Sequence, residues 1–344
     1  MVCRPGMASN PTTPVAGSPS TLGPLMQSST LKPMNLQILQ NKVLRLTVMP
    51  ELGASIVGLE LYHQGFWLPL MRPTAPATLV GRLSTDTSSY LLAPYSNRIR
   101  DGRFGFAGKI YQLRPNWVDG QQTLHGEVHA RGWASQRLEE NTLHCGFDSR
   151  NFQDVNFPFP FAVEMQYSLY QDGVQIYTAL QNVGPQPMPA GLGHHPYFMR
   201  HLNRSSDALL SFRAQRVYLT DATRIPTRPP EAIPLSLDFS RPRPIGLSLL
   251  DHVFTGWDGL LSLEWPGLGW RMDLRADPLF SHLVVFTAPD GSVALEPVTH
   301  ATDGFNRMAQ GWSDTGVRVL EPGERMEGTV RMTFAPPPTS SIEP

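Results

Sequence analysis

From Leu36 onward, apolar and polar residues alternate with a period of two in short runs. Leu44, Leu46 and Val48 interleave with Arg45 and Thr47, and Val163, Met165, Tyr167 and Leu169 interleave with Glu164, Gln166 and Ser168. After Gln171-Asp172-Gly173 the alternation resumes at Val174, Ile176 and Thr178. A period of two puts one face of a strand on a core and the other face outward. Two such runs joined by a short Asp-Gly turn predict a hairpin. Residues 317–320, the turn Glu321-Pro322-Gly323-Glu324 and residues 326–334 predict a closing hairpin on the same grounds.

Helical periodicity is scarce: no amphipathic stretch exceeds about three turns. The chain is punctuated throughout by 33 prolines and 29 glycines. Many short strands with frequent turns predict an all-β class, a large antiparallel β-sandwich of two broad sheets. Residues 225–244, though Pro-rich, predict a long surface crossover, because strand texture resumes after them without a change in composition. One domain is expected over 34–337. Residues 1–33, rich in Pro, Ser, Thr and Gly, bury too little apolar surface to order a backbone. They are expected to form a disordered tail or to precede a later start at Met26 or Met34, and 338–344 are expected to form a second tail.

Composition narrows the function classes. Of 344 residues, 41% are hydrophobic, enough for a sizeable core, and the formal net charge is −1. Without a long basic run, nucleic acid is not an expected partner. No apolar stretch reaches about 18 residues, so no membrane partner is expected either. Cys3 and Cys145 make no disulfide framework, and the N-terminus lacks the apolar core of a secretory signal, so the cytoplasm is the default compartment. A monomer or homodimer is expected.

Four segments interrupt the alternation with polar residues set among aromatics and prolines. They are Pro94-Tyr95-Ser96-Asn97-Arg98-Ile99; Leu124-His125-Gly126, followed by Trp133; Gly193-His194-His195-Pro196-Tyr197-Phe198; and Leu295-Glu296-Pro297-Val298-Thr299, followed by Asp303-Gly304-Phe305-Asn306. Singly, each has an ordinary explanation: a surface arginine, a turn histidine, a hydrogen-bonded core histidine, a strand-ending glutamate. Together they supply a fixed cation, histidines that titrate near neutrality and a carboxylate, the components of acid–base chemistry on a polar neutral molecule. Trp133, Tyr197, Phe198 and Phe305 add aromatic faces suited to the C–H faces of a pyranose. Histidines so placed also serve metals. His125 and His129 have the spacing of the zinc-protease helix, but Gly126 argues against a helix there, and Glu127 comes one residue late. No metal and no cofactor are therefore expected.

Taken in order, these segments resemble the aldose 1-epimerase (galactose mutarotase) family, from about Leu36 to Pro336. The matching pieces are Pro94 to Ile99, the Phe-x-x-x-Gly-x-x-Tyr run from Phe104 to Tyr111, His125-Gly126, His195-Pro196-Tyr197-Phe198, Glu296-Pro297-Val298-Thr299, and the Gly-x-x-x-Leu-x-Pro-Gly-Glu run from Gly316 to Glu324. The resemblance implies a mutarotase-like supersandwich with an open sugar-binding cleft, in agreement with the alternation. It implies Glu296 as catalytic base and His195 as catalytic acid, with Arg98, His125 and Asn97 at the sugar hydroxyls. Asp251, in a looser motif, is the matching aspartate. The implied activity is anomer interconversion of a free aldohexose. A hexose-6-phosphate 1-epimerase of the same fold is the alternative, with Arg72, Arg82 and Arg100 as candidate phosphate contacts, and a non-catalytic carbohydrate-binding protein is a second. The segment after His125-Gly126 runs Glu127-Val128-His129 and reaches Trp133 sooner than in galactose-type members, and His194 adds a histidine beside the acid. Both departures leave the preferred sugar open.

Overall fold

The computed structural model describes residues 35–335, apart from 118–119, 121 and 203–205. The two expected tails lie outside the described residues. Among those described, strands dominate, and the α-helices are two short ones, Pro76–Gly81 and Gly304–Ala309.

Two large antiparallel sheets carry the fold. The nine-stranded sheet runs, in spatial order, Ala134–Glu139, Thr142–Asp148, Phe161–Leu169, Gly173–Asn182, Arg325–Ala335, Trp270–Ala276, Leu260–Trp265, Leu209–Phe212 and Arg243–Pro244. The eight-stranded sheet runs Glu231–Ala232, Arg216–Tyr218, Asp251–Thr255, His282–Thr287, Ser292–Val298, Gly193–His194 and Leu91–Leu92, with Tyr197–Met199 also paired to Ser292–Val298. A four-stranded sheet over Gln37–Gln40, Leu44–Met49, Ser55–His63 and Phe66–Pro69 precedes them. One continuous core draws Leu46 and Leu59 from the four-stranded sheet, Val163, Leu180 and Met332 from the nine-stranded, and Phe254, Leu283 and Leu295 from the eight-stranded. This is the all-β sandwich that the alternation predicts.

The first predicted hairpin forms, running from Phe161 opposite Asn182 to Leu169 opposite Val174. The closing hairpin does not. Arg318–Leu320 pairs with Met188–Ala190, whereas Arg325–Ala335 lies between Gly173–Asn182 and Trp270–Ala276. The turn between them stands, but it sends its two arms to different sheets. Alternation shows that a segment is extended, not which neighbour satisfies its backbone groups. Residues 225–244 do cross over, adding Glu231–Ala232 to the edge of one large sheet and Arg243–Pro244 to the edge of the other.

The eight-stranded sheet is covered on both faces. All seven residues of Ser292–Val298 are buried. Val293 and Leu295 enter the continuous core, whereas Ala294 and Val298 join a separate cluster with Tyr90, Leu92, Tyr197, Val253 and Val284. Glu296 falls between Ala294 and Val298 in the period-two count, so it shares their face.

Candidate active site

That second face carries the cleft. Glu296 is opposite Val284 in the ladder, and Asp251 is opposite Phe286, so both acids and both apolar residues rise from the same sheet surface. They line a cavity of about 150 Å³ together with Asn97, Arg98, His125, His195, Tyr197 and Trp117. All six residues expected from the sequence, Glu296, His195, Arg98, His125, Asp251 and Asn97, thus meet at one pocket. A larger chamber of about 590 Å³ shares Arg98, Trp117 and Arg224 with it.

His195 and Glu296 touch. Nε2 of His195 lies 3.2 Å from Oε1 of Glu296, with side chains only 6% and 3% exposed. Burial pushes Glu296 well above the carboxylate range; the Asp251 charge adds to this and Arg98 opposes it. Burial, reinforced by the Arg72 charge, pulls His195 down to about 3. Both shifts disfavour charge, so near neutrality the two groups hold one proton between them and titrate as a pair.

His125 is fixed by backbone. Its Nδ1 accepts the Asn97 amide N–H at 3.1 Å, so Nε2 must carry the hydrogen of the neutral ring. Burial keeps that ring neutral, holding its pKa well below the ordinary value. The next residue, Gly126, has φ +66°, and a Cβ there would sit 1.8 Å from the Ala93 carbonyl oxygen. Only glycine lets the chain pass this closely while presenting His125.

Arg98 is oriented by its neighbours. Its Nε donates to Gln122 Oε1 at 2.8 Å, and its Nη1 donates to Asn97 Oδ1 at 3.3 Å. The carboxamide oxygen of Asn97 therefore serves the arginine. Behind this segment, the backbone amide of buried Asp303 donates to the Arg98 carbonyl at 2.8 Å, and its Oδ1 accepts the Arg100 amide at 3.0 Å. His300 Nε2 accepts the Ser96 amide at 3.0 Å. Asp251 sits at the rim, its carboxylate paired with Arg224 at 2.6 Å.

Several expectations need correction in detail. Of the four aromatics offered as sugar platforms, Tyr197 lines the pocket, whereas Trp133, Phe198 and Phe305 are buried elsewhere. Trp133 donates its Nε1–H to the Val128 carbonyl, and Phe305 packs on Tyr95 and Phe104. Phe198 follows Tyr197 on a strand and so faces the opposite side. Trp117 lines the pocket instead; it lies in a turn-rich stretch with no pattern to single it out. His194 turns away from the pocket, its Nε2 3.2 Å from Thr178 Oγ1, and His129 is engaged by Ser84 Oγ at 2.7 Å. Among the arginines considered for phosphate, Arg100 lines the outer chamber and pairs with Asp221, while Arg72 and Arg82 line neither cavity. Tyr90 and Arg224 also line the pocket, and no motif in the sequence marks either of them.

Comparisons with known proteins bear on the family and the fold. The model of the family described as "Aldose 1-epimerase" matches residues 38–333. The chain is 27% identical over 272 residues to protein YphB of Escherichia coli (strain K12), covering 76% of this chain and 88% of that one. A solved aldose epimerase homologue from C. elegans superposes with a TM-score of 0.74 at 19% identity, over 88% of this chain and 99% of that chain. A galactose mutarotase-like protein from Clostridium acetobutylicum superposes with the same TM-score at 16% identity, with the same coverage. These two likenesses establish the fold.

Proposed function

The chain belongs to the aldose 1-epimerase family, and from that premise we propose that it interconverts the α and β anomers of a free aldohexose. The observation that carries this reading is the buried contact of 3.2 Å between His195 Nε2 and Glu296 Oε1 on the cleft face.

Opening a cyclic hemiacetal moves two protons. A base takes the proton of the anomeric hydroxyl, an acid delivers one to the ring oxygen, the C1–ring oxygen bond breaks and C1 becomes an aldehyde. Rotation about C1–C2 and reclosure give either anomer. The two oxygens share one carbon, so acid and base must stand side by side, as Glu296 and His195 do. In the working form the pair's one proton is on His195, against the preference that burial gives each group alone. Glu296 accepts the hydroxyl proton, His195 delivers its own to the ring oxygen, and closure reverses the roles. The pair starts and ends with one proton. Arg98 is the nearby charge that favours ionised Glu296. His125 Nε2–H, Arg98 and Asp251 bind ring hydroxyls, with Asn97 steadying Arg98, and hold the anomeric centre at the pair.

The test is polarimetry or NMR exchange on a panel of free and 6-phosphorylated aldohexoses. Acceleration over buffer for glucose or galactose is expected. No acceleration for any aldohexose rejects the reading. A kcat/KM for glucose 6-phosphate about tenfold or more above both free sugars would transfer it to the phosphate-accepting alternative.

A further inference from the structure

Four side chains from three segments form one stack through His195. Tyr90 covers one face, with ring centroids 4.7 Å apart and planes 20° apart. Tyr197 also stacks on His195, at 4.6 Å and 25°. Arg72 caps Tyr197, with its guanidinium carbon 3.6 Å from the ring centroid. Two groups this near Tyr197 cannot occupy one face, so Arg72 lies on the side away from His195. It does not reach the catalytic pocket.

Arg72 is held as a fixed charge. Its Nη2 donates to the carbonyls of Thr85 at 2.8 Å and Thr87 at 2.5 Å, its Nε donates to Thr87 at 3.2 Å, and its Nη1 reaches Asp290 at 3.3 Å. Its backbone amide donates to the Tyr197 carbonyl at 2.9 Å. A guanidinium locked by its fork and laid on an aromatic face is a rigid support that a flexible ammonium matches poorly.

His195 needs such a support. A functional histidine is commonly oriented through a hydrogen bond at its second nitrogen. His195 Nδ1 is buried and makes no hydrogen bond of good geometry to another residue. Stacking is what sets the plane of the ring and so aims Nε2 at Glu296.

We propose that Arg72 is a positioning residue for the reaction: it clamps Tyr197 against His195 and keeps a positive charge behind the acid. The inference rests on the catalytic reading of His195 and Glu296 above. The groups facing His195 are Glu296 at Nε2, the rings of Tyr90 and Tyr197, and His125 edge-on at 5.3 Å. His129 lies beyond Tyr90, Arg72 beyond Tyr197, and Asp251 and Arg98 beyond Glu296. Among these the Arg72 charge opposes protonation of His195. Losing it eases every proton uptake by the pair, so both limbs of the pH–rate profile move to higher pH.

The test measures kcat, KM and pH–rate profiles of Arg72 variants on whichever free aldohexose the panel shows is turned over. Arg72→Met should lower kcat by roughly 5–30-fold with KM changed about twofold or less, the signature of a group felt mainly in the transition state. Both limbs should move up by about half a pH unit or more. Arg72→Lys should return the limbs toward wild type while kcat stays reduced. Asp290→Asn, which removes the counter-charge and keeps the side-chain shape, should move both limbs down, and it covers the case in which Arg72→Met does not fold. Combining Arg72→Met with Tyr197→Leu should be little worse than Tyr197→Leu alone, because Arg72 acts through that ring. Unmoved limbs in folded Arg72→Met or in Asp290→Asn, or losses that multiply in the double variant, overturn the proposal. Unmoved limbs alongside an inactive His195→Asn sink Arg72 alone; wild-type turnover in His195→Asn sinks both readings.

Discussion

His195 Nε2 and Glu296 Oε1 stand 3.2 Å apart, both out of solvent: Glu296 is on Ser292–Val298, and His195 lies between Gly193–His194 and Tyr197–Met199, the two short strands that pair with it. Neither can be charged alone without a large desolvation cost, so each sets the protonation of the other. Glu296→Gln removes the proton acceptor and keeps the shape, and His195→Asn removes the titratable ring. Each should lower kcat by about 10²–10⁴-fold. KM should change far less, since Arg98, His125 and Asp251 remain. The double variant should be little worse than either single one, because both groups act in one transfer. Wild-type-like turnover in either folded variant would refute the role assigned to that residue.

The same pair dictates the pH–rate profile. One proton on the pair is the working state; a second abolishes the base, and loss of the first abolishes the acid. The profile of kcat/KM should be bell-shaped in wild type. In Glu296→Gln the acidic limb should vanish or move. A flat profile from pH 5 to 9 on the free sugars would contradict a titrating pair.

His125 acts through its Nε2–H, since Nδ1 is committed to the Asn97 amide at 3.1 Å. His125→Gln offers a donor that this amide does not orient, and His125→Ala offers none. KM should rise by about tenfold or more in the alanine variant, with a smaller rise in the glutamine variant. Equal KM values across wild type and both variants would remove His125 from substrate binding.

Stability should fall as the solution is acidified through the histidine range. His129, His194, His282 and His300 are all held at about 4, in each case chiefly by burial. The unfolded chain takes up these protons near pH 6.5, whereas the folded chain does so only near 4. Between those values the unfolded state binds more protons, so stability is fully present above about 6.5 and is lost as pH drops. Each histidine contributes up to about 1.4 kcal/mol per pH unit. Glu127 and Glu296, pushed upward by burial, work in the opposite sense but are outnumbered. A Tm that stays level or rises from pH 6.5 to 4.5 in differential scanning fluorimetry would count against this.

Two glycines with similar backbone angles should respond differently to alanine. Gly323, at φ +83°, has nothing within 4 Å of the point a Cβ would occupy, so Gly323→Ala should cost about 1 kcal/mol, the backbone preference alone. Gly126 at φ +66° would drive its Cβ into the Ala93 carbonyl, so Gly126→Ala should cost several kcal/mol or prevent folding. Urea denaturation of both variants decides it; equal costs would mean the Ala93 segment yields freely.

Local chemistry in the sequence was enough to determine the class of fold, the hairpin across Gln171-Asp172-Gly173 and the side chains suited to acid–base work, because strand periodicity, turn residues and ionisable groups are properties of a few adjacent positions. Partnership is not. The turn at Glu321-Pro322-Gly323-Glu324 is plain in the sequence, yet its arms join different sheets, since the strands that satisfy them lie far away in the chain. Adjacent His194 and His195 read as equals, and period two says only that they face opposite ways. The packing of the eight-stranded sheet, with one face on the continuous core and the other on the cleft, decides that His195 meets Glu296 while His194 meets Thr178. Trp117, Tyr90 and the Arg72–Tyr197 stack likewise carry no local signal. They matter through contacts between segments brought together only when the sheets close on one another.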